Sequence, residues 1–263
     1  MRVIRSLPGA FLLFAFSRGI YYIISEILGK VPDMGEKKFL LFDIDGTLIR
    51  TGGAGKHSME RAFEVVFGVS NGFSGIHMMG RTDPAILEEA LLNHGISGDE
   101  TLRKRYRDLY FRILEIEIPM PRKNKRICAG VVPLLKRLKK DPRLILGLLT
   151  GNWRQSAYIK LRHFHLDRYF KTGAFADDSG QREELIPLAI SRLTEETGVK
   201  IGTGDVVVIG DTPLDIRAAL PHGAKVIGVA TGIHSQARLQ SEQPHAVIAD
   251  LTRWDEAAPL VGL

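Results

Sequence analysis

Asp43 closes an apolar run, Lys38-Phe39-Leu40-Leu41-Phe42, and Asp45 follows it in Phe42-Asp43-Ile44-Asp45-Gly46-Thr47. An unbroken apolar run of this length reads as a strand buried on both faces. Such a strand belongs in a sheet covered by helices on each side. Two carboxylates at its end make poor core packing. They make good sense as a nucleophile, a proton-transfer partner and half of a Mg²⁺ site. An Asp-rich turn after a strand is the structural alternative.

The same grammar recurs along the chain. Leu144-Ile145-Leu146-Gly147-Leu148-Leu149 runs into Thr150-Gly151-Asn152, and Val206-Val207-Val208-Ile209 runs into Gly210-Asp211. Lys225-Val226-Ile227-Gly228-Val229 stops at Thr231-Gly232, and Ala246-Val247-Ile248 fits a short edge strand. Helices with amphipathic spacing lie between, for instance Ala189, Ile190 and Leu193. Strand and helix alternate, which predicts an α/β fold with a mainly parallel sheet. Ligands of open sheets bind beyond the carboxyl ends of the strands, which would gather Asp43, Asp45, Thr150, Asn152, Asp211 and Asp215 in one place.

Residues 52–125 carry no strong strand pattern. Met59, Ala62, Phe63, Val66 and Phe67 follow helical spacing, as do Ile86, Leu87, Ala90 and Leu91, and again Leu102, Tyr106, Leu109, Tyr110 and Ile113. The expected organisation is an α/β core of residues 37–51 and 126–252 with a helical module, 52–125, inserted through a Gly-rich hinge (Gly52, Gly53, Gly55) and a return containing Pro119 and Pro121. Residues 253–263 read as a C-terminal tail. Gly55-Lys56-His57-Ser58 is no phosphate-binding P-loop: no Ser or Thr follows the Lys, and Arg50 stands where the first Gly belongs.

A chain of 263 residues, 44% hydrophobic and 25% charged, buries an ample core without disulfide staples. Cys128 is the only cysteine, so no intramolecular disulfide forms, in keeping with a reducing, cytoplasmic setting. No Cys/His cluster has zinc spacing, and His163 and His165 point different ways on a helix. The net charge of +6 favours anionic partners. The basic runs Arg103-Lys104-Arg105, Arg122-Lys123-Asn124-Lys125-Arg126 and Lys136-Arg137-Leu138-Lys139-Lys140 read as solvated faces. No aromatic ladder accompanies them, so nucleic acid is not the expected partner.

Residues 7–28 are strongly apolar but are interrupted by Arg18 and Glu26, short of an unbroken spanning helix. A leader, an interfacial anchor and a start placed too early, with Met34 as the alternative, are the candidate readings. A dispensable or loosely docked appendage, residues 1–36, is expected ahead of a membrane contact.

Taken in order, Asp43-x-Asp45-x-Thr47, Thr150, a basic residue and Gly210-Asp211-x-x-x-Asp215 resemble the four motifs of the haloacid dehalogenase superfamily, from about Lys37 to Thr252. The resemblance implies a Rossmann-like three-layer core with an inserted α-helical cap. It further implies that Asp43 attacks phosphorus to form an aspartyl phosphate and that Asp45 protonates the leaving alcohol. Mg²⁺ would be held by Asp43, Asp211 and the carbonyl of Asp45, with Asp215 as a water-bridged partner; Asp215 equally reads as the first-turn acid of a helix capped by Thr212.

Thr150, Gly151 and Asn152 would hold phosphate oxygens at a helix start near Trp153, where an ordinary N-cap region is the alternative. Arg182 is the expected third-motif cation in place of the usual Lys, with Lys171 and Lys160 as runners-up and a plain helix-start arginine as the bland reading. In Gly80-Arg81-Thr82-Asp83-Pro84, Arg81 would meet a second anionic group of the substrate, while Asp83-Pro84 reads as N-cap and first helical residue. The expected function is hydrolysis of a small phosphorylated metabolite by a monomer or homodimer. A phosphomutase, a non-catalytic scaffold and a phosphatase of nucleic-acid ends are the alternatives.

Overall fold

The computed structural model describes residues 37–199 and 201–263. The apolar stretch 7–28 and the whole expected appendage, 1–36, lie outside the described residues. Among the described residues no helix is long and apolar enough to cross a membrane.

The strands are β1 (Lys38–Phe42), β2 (Ile49–Arg50), β3 (Arg126–Ile127), β4 (Leu144–Leu149), β5 (Gly173–Ala174), β6 (Val206–Gly210), β7 (Lys225–Val229) and β8 (Ala246–Ile248). Six of them form one parallel sheet in the order β5-β4-β1-β6-β7-β8. Side chains alternate across a strand, and β1 shows it: Leu40 and Phe42 enter one apolar cluster while Phe39 and Leu41 enter the other. All four are fully buried, so the sheet is the middle of three layers. On one side pack α4 (Val131–Leu138) and α5 (Arg154–His163); on the other pack α6 (Leu185–Thr197), α7 (Pro213–Ala219) and α8 (Gln236–Gln240).

β2 and β3 form a separate antiparallel pair, Ile49 opposite Ile127 and Arg50 opposite Arg126. These strands and β5 are two residues long, too short for any periodicity to show in sequence. Between β2 and β3 run α1 (Ala54–Phe67), α2 (Asp83–Asn93) and α3 (Glu100–Glu117). They share an apolar cluster built on Phe63, Tyr106, Tyr110 and Phe111, to which α5's neighbour Trp153 contributes from below.

Two local expectations need correction. Thr82, not Asp83, caps α2, its hydroxyl accepting from the backbone N–H of Ala85; Asp83 is the first helical residue and is used elsewhere. The stretch 253–263 is no loose tail. It continues the chain as two 3₁₀ turns whose Trp254, Ala257, Ala258 and Val261 are buried in the core on the α4 side. Its buried residues recur at i, i+3, i+4 and i+7, a helix-like stripe too short to have marked the stretch as an element.

Candidate active site

Register decides which acids meet. β1 and β6 are parallel neighbours with Phe42 opposite Ile209, and the ladder runs one step further, Asp43 N–H donating to Ile209 C=O at 2.9 Å. Asp43 and Asp211 therefore leave adjacent strands side by side. Asp215 joins them from the first turn of α7, and the three carboxylates each bring an oxygen within 4.8 Å of the others, all buried.

The turn after β1 gives Asp211 its room. Gly46 has φ +95°, and a Cβ there would lie 2.3 Å from Asp211 Oδ2; one on Gly232 would lie 1.7 Å from the same atom. Thr231 Oγ1 donates to Gly46 C=O at 2.6 Å, and Arg50 Nη2 donates to Gly232 C=O at 2.6 Å, which closes the two loops over Asp211. Thr47 Oγ1 donates to Asp211 Oδ1 at 3.0 Å. Asp211 Oδ2 is buried with no hydrogen-bond partner. A buried orphan carboxylate oxygen is costly, and an all-oxygen donor set beside it suits a hard divalent cation.

Arg182 enters from the loop after β5. Its Nη2 meets Asp43 Oδ1 at 3.2 Å and also pairs with Asp215 Oδ1. Burial, then the neighbouring Asp215 charge, pushes the Asp43 carboxyl up to about 7 against the pull of Arg182. Burial and the charges of Asp43 and Asp215 raise Asp211 well above the usual carboxylate range. Burial opposes the charge on Arg182, and Asp215 and Asp43 outweigh it, so its pKa rises. Asp43 and Asp215 thus share one guanidinium, with Asp211 beside them. The expected cation is the one that reaches Asp43; Lys171 is exposed.

Asp215 has both oxygens engaged. Oδ1 faces Arg182, and Oδ2 accepts from Thr212 N–H at 3.0 Å and Thr212 Oγ1 at 2.8 Å, a capping box at the start of α7. Asp45 turns its carboxylate to the opposite side of the turn. Its Oδ2 accepts from Asn152 Nδ2 at 2.9 Å and Lys160 Nζ at 2.5 Å. Thr150 is buried, and its hydroxyl accepts from Asn152 Nδ2 at 2.8 Å, which leaves the Thr150 O–H itself to donate. The helix expected near Trp153 begins at Arg154, with Trp153 as its N-cap residue.

The loop before α2 threads between these groups. A Cβ on Gly151 would lie 2.2 Å from Arg81 C=O, so only a glycine admits the loop there. Asp83 N–H donates to Gly151 C=O at 2.7 Å, Thr82 Oγ1 to Gly180 C=O at 2.6 Å, and Arg182 Nη1 to Gly80 C=O at 3.1 Å. Asp83 Oδ2 accepts from Trp153 N–H at 3.0 Å and Ser156 Oγ at 3.2 Å, which places a carboxylate on the N-terminus of α5. Burial pushes Asp83 up to about 6, against the pull of the Lys160 charge.

A cavity of about 540 Å³ lies between these parts, with Asp43, Asp45, Thr150, Asn152, Lys160 and Arg182 on one wall and Met59, Met78, Met79, Ile86 and Tyr110 on the other. Its size is that of a small-molecule site. Arg81 borders it, but its guanidinium is spent on Glu89 and on the carbonyls of His77 and Ala85. Arg81, expected to meet a second substrate anion, is here paired within the inserted module. Reading the sequence named Thr47, Asp83 and Lys160 but missed their contacts with Asp211, the start of α5 and Asp45. The available signal for Lys160 was a charge one turn beyond Ser156 beside the buried Ala157 and Leu161.

The sequence profile described as haloacid dehalogenase-like hydrolase matches residues 40–229. A curated relative named "Putative pyrophosphatase PpaX", from Caldanaerobacter subterraneus subsp. tengcongensis, is 26% identical over 215 residues, 81% of this chain and 90% of that protein. A solved hydrolase from Pseudomonas syringae superposes with a TM-score of 0.64 at 20% identity, covering 85% of this chain and 98% of that one. A structure titled a predicted phosphoglycolate phosphatase, from Haemophilus somnus 129pt, gives 0.61 at 19% identity over 86% and 99%. These likenesses establish the three-layer fold.

Proposed function

This chain belongs to the haloacid dehalogenase-like hydrolase family, and on that premise we propose that it is a Mg²⁺-dependent phosphatase acting on small phosphate monoesters. The observation that carries the reading is the trio Asp43, Asp211 and Asp215, buried together, with Arg182 as the cation that touches Asp43 and Asp215. A phosphate ester is a dianion and cannot approach three acids unless their charge is offset. A Mg²⁺ ion held by Asp43 and Asp211, with Asp215 behind them, would supply that offset and withdraw charge from the phosphoryl oxygens.

The chain's own groups account for the rest. Asp43 Oδ1 is held by Arg182, leaving Oδ2 to attack phosphorus and form an aspartyl phosphate as the ester P–O bond breaks. Asp45 gives its proton to the departing oxygen, then takes one from the water that cleaves the acyl phosphate and frees Asp43. The Thr150 hydroxyl would hold a phosphoryl oxygen, while the start of α5 already carries the carboxylate of Asp83. The loop of Gly80 to Asp83 covers the strand ends and keeps bulk water out. A cavity of about 540 Å³ favours a metabolite over a folded protein or a duplex.

The test is a phosphate-release screen over small phosphorylated metabolites, with Mg²⁺ and with EDTA. Stoichiometric, Mg²⁺-dependent phosphate from one or more monoesters is the expected result. Isomerised sugar phosphate without release would make the protein a phosphomutase, and no turnover of any ester would overturn the reading.

A further inference from the structure

Lys160 is the only lysine buried among the described residues, 4% exposed, and it sits at the catalytic end of the sheet rather than in a core. An ammonium taken from water costs several kcal/mol unless it is paired and hydrogen-bonded. Its partners are Asp45 Oδ2 and Asn152 Oδ1, both at 2.5 Å. The Asn152 amide is oriented by the same set: its Nδ2 donates to Asp45 Oδ2 and to Thr150 Oγ1, so its oxygen must face the ammonium. Asp45 Oδ2 thus receives two donors, while Oδ1 receives none among the described residues. The inserted helices close over the arrangement. A Cβ on Gly55, in the first turn of α1, would make ordinary contact with Lys160 Nζ at 3.5 Å.

An ion pair serving stability alone would gain nothing from this location, since apolar groups of the same volume do as well or better. Here the pair fixes one oxygen of a side chain that must deliver a proton along one direction. We infer that Lys160 is a positioning residue for Asp45, holding Oδ2 together with Asn152 so that Oδ1 is the oxygen that exchanges the proton. The inference rests on the phosphatase reading above. Oδ1–H gives its proton to the ester oxygen as that oxygen leaves phosphorus with the bonding pair and Asp43 forms the new P–O bond. In the second half Oδ1 takes a proton from water as the water oxygen bonds phosphorus and the Asp43 oxygen leaves.

The test compares full-length wild type with Lys160→Met and Lys160→Gln in the presence of Mg²⁺. Two esters are used, p-nitrophenyl phosphate and the best alkyl phosphate from the screen. A misplaced acid hurts poor leaving groups most. Lys160→Met should lower kcat on the alkyl ester about 100-fold and on the aryl ester less than about 5-fold, with KM nearly unchanged. Lys160→Gln, which can still donate to Oδ2, should recover part of the loss. Added to Asp45→Asn, Lys160→Met should cost little more.

Equal losses on both esters, or a KM rise with kcat intact, would overturn the inference, the latter by making Lys160 a substrate contact. Crystal structures of wild type and Lys160→Met supply a readout independent of activity, and also detect a variant that misfolds. Asp45 is expected to leave its Asn152-bonded rotamer in the variant; an unchanged rotamer refutes the positioning role. Should wild type turn over no ester, the phosphatase reading falls while this comparison still decides the placement of Asp45.

Discussion

Arg182 Nη2 lies 3.2 Å from Asp43 Oδ1 and contacts Asp215 with the same nitrogen, so one buried guanidinium restrains both the nucleophile candidate and the capping acid of α7. Removing one partner of a buried pair costs about 3–5 kcal/mol because the other is left uncompensated. Arg182→Ala should lower stability by about that much and abolish turnover. Arg182→Lys should recover part of both, as measured by chemical denaturation and phosphate release.

Asp43→Asn removes the nucleophile while preserving shape. Turnover should fall at least about 10⁴-fold, with the melting temperature unchanged or raised because burial and Asp215 already resist ionisation here. Near-normal Mg²⁺-dependent phosphate release from this variant would discard the assignment.

Asp211→Asn tests the cation site without reference to turnover. In metal-free protein, loss of a carboxylate crowded by Asp43 and Asp215 should raise the melting temperature. Wild type should gain about 2.7 kcal/mol when Mg²⁺ reaches 100 times its dissociation constant, and the variant should gain almost none. Equal Mg²⁺ responses in a thermal scan would place the ion elsewhere.

Acid dependence follows from the same crowding. Asp43 and Asp83 have folded values of about 7 and about 6 against an ordinary 3.8. The native state therefore binds more protons than the unfolded chain between these limits, and stability falls as pH rises. Metal-free protein should be most stable near pH 4 and lose stability up to about pH 7. Asp83→Asn should flatten the part below about pH 6. Denaturation midpoints in EDTA across this range check the sign.

The contact of Gly151 with Arg81 C=O leaves no room for a methyl group. Gly151→Ala should displace the loop of Gly80 to Asp83 and lower kcat/KM about 10²-fold, as small misplacements at a reacting centre do. The melting temperature of the α/β core should change little. Unchanged kinetics would mean that the loop has another seat.

The longer strands of the sheet stand where their apolar runs are written, because β1, β4, β6 and β7 are buried on both faces over most of their length and need apolar residues there. Asp43, Thr150 and Asp211 were legible for the same reason: a polar residue ending such a run has to be explained by something other than packing. The cap of α2 was misplaced because Thr82, Asp83 and Pro84 are all good helix-start residues, and their spacing does not say which one turns toward Trp153. The turns from Leu251 to Val261 were overlooked because their apolar stripe is short and interrupted by Asp255, Glu256 and Pro259.

Local sequence was enough to place the longer strands along the chain, the acids at their ends and the helical stretch between β2 and β3, since each depends on neighbours in the chain. Which oxygen of Asp45 is occupied, that Lys160 is buried against it, and that Asp83 reaches α5 depend on groups from about 70 to 115 residues apart meeting at one end of the sheet. Those contacts are set by strand register and loop packing, and no residue carries that information alone.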